Sequence, residues 1–198
     1  MSEAHLPPLP PVPGVADEDY EPAGPDMIEL LEADHAALRR LCARAATEPA
    51  ASDVLVATLA RHLSAEEQYL YPAIHSVHPE GPAIAERELA ADAQLLVALR
   101  RLHTGADAAA LRQVTEHVRE HTRRTTDEVF PALREHCTGG DLVRLGNRVE
   151  IARSAAPTRP HPGTPSTPPL NKVVDPALGV VDKVMDVLTR RTTWEEDL

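Results

Sequence analysis

The chain has 198 residues, of which 42% are hydrophobic but only 3% aromatic, and its formal net charge is −11. Strands favour aromatic and β-branched residues, so this composition favours helices, and the length suits one domain with or without tails. Nucleic-acid contacts need clustered Lys and Arg, so we expect no nucleic-acid partner. A membrane-spanning helix needs about 20 consecutive apolar residues, so we also expect no membrane span.

The N-terminus and the cysteines bear on location. The residues after Met1 lack the basic and apolar regions of a secretory signal peptide. Cys42 and Cys137 lie far apart and match no metal or redox spacing. We therefore expect a cytoplasmic protein.

Proline placement divides the chain. Of the 19 prolines, seven fall in residues 1–25 and seven in 155–176. We predict a disordered acidic tail over 1–25, a helical domain over 26–153, a proline-rich linker over 154–175 and an amphipathic tail segment over 176–198. The apolar stripe of the tail helix (176–191) favours docking on the domain, a second copy or another protein over lipid.

The middle of the chain is helical in pattern. Long helices are predicted over 26–47, 53–75, 82–104 and 107–136, with a short fifth helix over 141–153. Four helices of similar length with short connections predict an all-α, up-down-up-down four-helix bundle with short C-terminal helices.

Polar residues interrupt the apolar stripe of every long helix. Helical spacing puts each of them on the inward face near the middle of its helix, so antiparallel neighbours should bring them into one core layer. They are His35 in the first helix, His62 and Glu66 in the second, Asp92 in the third, and His121 and Thr125 in the fourth.

These residue types point to a metal. A buried carboxylate such as Glu66 needs a partner, and one cation would serve three imidazoles and two carboxylates. That ligand set suits non-haem iron, manganese or zinc. A lone inward His is more often a hydrogen-bonded core residue, and Asp92 could instead pair with an Arg or a core His. Thr125 fits a small core residue.

An internal repeat links the second and fourth helices. The segments from Arg61 and from Glu120, offset by 59 residues, share the pattern His-x3-(Glu or Thr)-x4-aromatic-Pro-Ala. Each proline removes a helical N–H and is predicted to kink its helix. Aligning Leu-Glu-Ala-Asp34 with Leu-Ala-Ala-Asp92 would make Ala93 the counterpart of His35.

Three motifs occur in order along the helices: Leu31-Glu-Ala-Asp34-His35-x2-Leu38-Arg39, His62-x3-Glu66-x4-Tyr71-Pro72 and His121-x8-Phe130-Pro131. Together they resemble the haemerythrin-like (HHE cation-binding) domain over roughly residues 26–136. The linker and tail helix are similar to an extension of some bacterial members.

The resemblance implies a carboxylate-bridged, non-haem di-iron site. His35, His62 and His121 match terminal ligands and Glu66 a bridging one. Family members usually have His at Asp92 and an acidic residue at Thr125. Asp92 can still bind iron, whereas a Thr hydroxyl bridges cations poorly, so one or two ions are expected. His117, one turn before His121, is a candidate substitute ligand.

The function expected from the resemblance is binding of, or response to, O₂, peroxide or nitric oxide. We expect a binding or sensing protein rather than an enzyme, although weak peroxide-linked activity is compatible with such a centre. The alternative is a metal-free bundle that acts as an interaction scaffold, which the loss of an acidic residue at Thr125 favours. A zinc or manganese hydrolase is a third hypothesis, but no general base or substrate pocket is apparent beyond the cluster.

Overall fold

A computed structural model describes residues 22–105, 107–156 and 193–198. The described residues contain helices and no strand, which confirms the predicted all-α bundle. Most of the predicted N-terminal tail, nearly all of the linker and the whole tail helix (176–191) lie outside them. The elements are α1 (Met27–Arg44), α2 (Pro49–Ala65), a π-helical turn (Glu66–Leu70), α3 (Tyr71–Val77), α4 (Gly81–Gly105), α5 (Ala108–Arg124), a second π-helical turn (Thr125–Val129), α6 (Phe130–His136), α7 (Gly139–Ala155) and a 3₁₀ turn (Glu195–Asp197).

Capping residues set several helix boundaries. Asp26 caps α1 in a capping box with Glu29, as its place before the apolar stripe predicts. Helix α2 begins at Pro49 rather than at 53, because proline suits the first helical position, where its missing N–H has no helical partner. Helix α7 begins at Gly139 rather than at 141, because Thr138 caps it and Asp141 completes the capping box.

The two prolines of the repeat each follow a π-helical turn. The N–H of Tyr71 donates to the carbonyl of Glu66, five residues back, and Pro72 follows directly. The N–H of Phe130 donates in the same way to the carbonyl of Thr125. Proline lacks the N–H that the regular ladder needs, so the wider turn occurs where a helical bond is lost. Such turns are frequent at functional sites.

Two apolar clusters fill the core on either side of a polar layer. Met27, Leu31 and Phe130 belong to the first, and Leu41 and Leu99 to the second. The first cluster also contains the apolar face of α7, namely Leu142, Leu145 and Val149. His35 lies between Leu31 and Leu38 along α1, so the inward polar residues of the bundle are enclosed by apolar side chains at both ends.

Helix α7 packs closely against the start of α1. A Cβ atom on Gly146 would lie 2.3 Å from the carbonyl oxygen of Pro25, so only glycine allows this approach. The contact brings the end of α7 alongside α1 and α2. This helix therefore contributes side chains close to the polar layer.

Candidate metal centre

Four buried side chains from three helical segments converge in the polar layer. His35 comes from α1, His62 and Glu66 from α2 and the π-helical turn after it, and His121 from α5. One ligand atom of each lies within 4.8 Å of the others. Each residue is at most 1% exposed. The predicted layer is therefore present, and it brings three imidazoles to one carboxylate.

The separations match those between ligands of one ion. Glu66 Oε1 lies 3.3 Å from His62 Nε2, and Glu66 Oε2 lies 3.2 Å from His121 Nε2. The two Nε2 atoms are 3.2 Å apart, whereas His35 Nε2 lies farther out, at 3.8 Å from Glu66 Oε1. Atoms bound about 2.0–2.1 Å from a metal at octahedral or tetrahedral angles are about 2.8–3.4 Å apart.

Several polar atoms of this group have no hydrogen-bond partner among the described residues. They are both ring nitrogens of His35, Oε1 of Glu66 and Nδ1 of His121. Buried polar atoms are nearly always satisfied, and exceptions need an explanation. A cation held by His35 and Glu66 would supply the missing partner, so the residues present fit a metal ion.

The charges of the layer favour a cation. Burial lowers the pKa of His35 to about 4, so this imidazole is neutral and able to bind metal at pH 7. Burial also opposes the charged form of His121, but the Glu66 and Asp92 carboxylates outweigh it and raise the pKa of His121 well above its ordinary value. These carboxylates therefore attract positive charge into the centre.

Asp92, predicted as a ligand, lies behind His121 and outside the four-residue group. Its Oδ1 is 3.3 Å from His121 Nδ1, the ring nitrogen turned away from Glu66. Its Oδ2 accepts a hydrogen bond from the Tyr71 hydroxyl at 2.5 Å, and that hydroxyl lies 3.1 Å from Glu66 Oε2. This placement favours an orienting carboxylate, and direct ligation by Asp92 stays a prediction.

Asp34 occupies the equivalent place behind His62. Its Oδ2 lies 3.3 Å from His62 Nδ1, and its Oδ1 accepts a hydrogen bond from Nη2 of Arg153 on α7. A carboxylate on the second nitrogen of a metal-binding imidazole fixes its tautomer and orientation. In each half of the repeat, an aspartate thus lies beside Nδ1 of the histidine: Asp34 beside His62 and Asp92 beside His121.

The alternative alignment of the repeat therefore agrees with the geometry. Asp34 and Asp92 contact their histidines through the same ring nitrogen, so Ala93 is the counterpart of His35. Thr125, the counterpart of Glu66, is fully buried, and its hydroxyl donates to the carbonyl of His121 at 2.8 Å. Its predicted place as a small core residue fits this contact.

Three further residues change the interpretation of the sequence. His117 is half-buried and outside the four-residue group. Arg124, on the helix that carries His121, is partly buried and binds buried Glu88 at 3.1 Å. The sequence does not predict the contact of Arg153 with Asp34, because nothing in the periodicity of α7 distinguishes Arg153. Tyr71, by contrast, belongs to one of the three family motifs.

A family comparison agrees with this geometry. The model described as "Hemerythrin HHE cation binding domain" matches residues 26–133, more than half of the chain. The chain belongs to this haemerythrin family. An uncharacterized hemerythrin-like protein of Schizosaccharomyces pombe is 23% identical over 138 residues, covering 67% of this chain and 68% of that protein. No solved structure matches significantly. Among the described helices of this haemerythrin-like chain, none is long and apolar enough to cross a bilayer.

Proposed function

We propose that this haemerythrin-like protein holds non-haem iron on His35, His62, Glu66 and His121. At that ion it binds or responds to O₂, peroxide or nitric oxide. The observation that carries the proposal is the buried convergence of three imidazoles on one carboxylate, with His35 and Glu66 atoms left without hydrogen-bond partners. Imidazole with carboxylate suits iron among the common metals, and the family is a cation-binding one.

One ion is favoured over two. A second ion would draw on the second half of the repeat, where Ala93 and Thr125 stand in place of His35 and Glu66. Alanine offers no ligand atom, and the Thr125 hydroxyl already donates to a backbone carbonyl. Four protein ligands suffice for one ion and leave coordination positions for a small molecule.

The protein's own groups prepare the centre in three ways. Asp34 Oδ2 lies 3.3 Å from Nδ1 of His62 and Asp92 Oδ1 lies 3.3 Å from Nδ1 of His121, an arrangement that orients each ring with its Nε2 directed inward. The Tyr71 hydroxyl lies against Glu66 and restrains that carboxylate. The apolar clusters exclude bulk water. Iron, when bound, supplies electron exchange and a position that a diatomic ligand or peroxide can occupy.

The broader role follows from this centre. We place the protein in the cytoplasm and assign it binding or sensing rather than efficient turnover. Contacts with a second copy or another protein are assigned to the segments that flank the bundle. We interpret the Pro-rich linker and tail helix (168–187) as the extension of some bacterial members.

Metal content per chain tests the proposal directly. Protein is made in iron-supplemented cells, purified without oxygen and without a metal-binding tag, and measured by mass spectrometry. We expect about one iron per chain in the wild type and less than about a tenth in His62→Ala, since a buried ligand is lost. The exposed His75 on α3 is the matched control, so His75→Ala should keep its metal.

The other outcomes are equally informative. About two irons would mean that His117, Asp92 or water completes a second site. Less than about a tenth of an ion in the wild type, unchanged on reconstitution, would overturn the metal proposal and leave the scaffold function. Spectra of the loaded protein with O₂, peroxide and nitric oxide then identify the ligand.

A further inference from the structure

Helix α7 extends to the metal centre although it lies outside the part of the chain that the family model matches. The match ends at residue 133, and α7 spans Gly139–Ala155. Near its end, Arg153 donates from Nη2 to Oδ1 of Asp34. The other oxygen of Asp34 faces His62 Nδ1 at 3.3 Å. A continuous chain of polar contacts thus joins α7 to a proposed iron ligand.

The two orienting aspartates differ in what else they bind. Asp34 is paired with a guanidinium cation, whereas Asp92 accepts from the neutral Tyr71 hydroxyl. Both aspartates are at most 5% exposed, so the carboxylate side of each contact is shielded from bulk solvent. The imidazoles of His62 and His121 therefore face carboxylates of unequal acceptor strength.

We propose that Arg153 is a positioning residue that sets, through Asp34, how strongly His62 donates electron density to bound iron. The inference rests on the proposed iron site. A guanidinium on one carboxylate oxygen withdraws negative charge from the other. The Nδ1–H of His62 then meets a weaker acceptor, so its Nε2 is a weaker donor and the ferrous state is favoured.

Solvent reaches the ion pair between Arg153 and Asp34 from the Arg153 side only. Arg153 is 32% exposed and Asp34 only 6% by side chain, whereas the His62 side chain is fully buried. A cavity of about 390 Å³, lined by Asp34, Arg153 and the C-terminal Trp194 among others, opens beside the pair. Solvent therefore reaches the arginine but not the imidazole.

A purely structural role for Arg153 is the competing explanation, because the same ion pair fastens α7 to α1. Substitution of either partner would then lower stability and leave the electronic properties of His62 unchanged. The two explanations differ in their electrochemical consequences. Removing Arg153 should favour ferric iron, whereas neutralising Asp34 should favour ferrous iron, and a structural tie predicts no such opposition.

The reduction potential of the iron-loaded full chain provides the first test. We expect Arg153→Gln to raise the ratio of ferric to ferrous affinity about tenfold, which corresponds to a potential about 59 mV lower. Asp34→Asn should raise the potential. Arg153→Lys keeps the charge and should restore most of the wild-type value. Arg148→Gln removes the same charge from α7 near Tyr69 rather than Asp34, and should leave the potential unchanged.

The metal-free full chain provides a test that needs no iron. In ¹⁵N-edited NMR spectra the Nδ1–H proton of His62 should move downfield in Arg153→Gln, because its hydrogen bond to Asp34 strengthens, and should not move in Arg148→Gln. An unchanged potential or an unchanged Nδ1–H resonance in Arg153→Gln overturns the inference. If the wild type takes up no iron, the proposed function and the claim about the potential fail together, while the resonance still decides whether Arg153 acts on His62.

Discussion

The two halves of the bundle, α1–α3 and α4–α6, have the same frame but different chemistry. In each half an aspartate lies beside Nδ1 of an inward histidine, and the helix that carries the histidine continues into a π-helical turn and a proline. Only the first half adds an imidazole and a carboxylate that point into the centre. The backbone arrangement therefore persists where ligands are absent. The differing pairs are His35 and Ala93, Glu66 and Thr125, and Tyr71 and Phe130.

The largest effect should come from removing the carboxylate that only the first half has. In Glu66→Gln the amide keeps the shape but loses the charge that three imidazoles surround, so metal content should fall from about one ion to less than about a tenth. The matched change in the second half, Thr125→Val, should keep the metal. Mass spectrometry of both variants decides, and a metal-loaded Glu66→Gln protein would contradict the assignment of Glu66.

Making the second half resemble the first should create a second site. The double variant Ala93→His with Thr125→Glu supplies an imidazole and a carboxylate at the counterpart positions, so metal content should rise to about two ions per chain. Both positions are in a packed interior, and the larger side chains are expected to cost about 1–3 kcal/mol of metal-free stability. A folded double variant with one ion would show that the halves are not equivalent in geometry.

Acid should weaken the metal-free protein through a histidine that the second half lacks. The pKa of His35 is about 4 in the folded state and 6.5 when unfolded, so the unfolded chain binds the proton first as pH falls. Stability should thus fall between pH 6.5 and 4, by about 3 kcal/mol from this residue. His121 has the opposite effect on stability. Its pKa is raised in the folded state, so the stability that its protonation gives is lost as the pH rises from its unfolded pKa through its folded pKa.

The difference between wild type and a His35→Leu variant isolates the effect of His35. Urea unfolding of both proteins with a chelator present, from pH 7 to pH 4, measures it. The variant should lose less stability over this range. If the two proteins lost the same stability between pH 7 and pH 4, the pKa of His35 would not be lowered in the folded state.

The sequence predicts the bundle and the inward set His35, His62, Glu66 and His121, because helical periodicity determines which face a residue occupies. It does not determine how far a side chain reaches. Asp92 is on the predicted face, where its Oδ1 lies beside the far nitrogen of His121 and its Oδ2 accepts from the Tyr71 hydroxyl. The contact of Arg153 depends on how α7 packs on α1, which no local pattern encodes.

The smallest effect should come from giving the first half the second half's aromatic residue. Tyr71→Phe, which copies Phe130, removes the hydroxyl that lies 2.5 Å from Asp92 and 3.1 Å from Glu66. A buried carboxylate oxygen that loses its donor costs about 1–3 kcal/mol, so urea unfolding should show a loss of that size. Tyr69→Phe should cost less, because that ring is half-buried and water can replace its hydroxyl. Equal losses in the two variants would mean that the Tyr71 hydroxyl contributes nothing specific to the polar layer, and that the aromatic position is interchangeable between the halves.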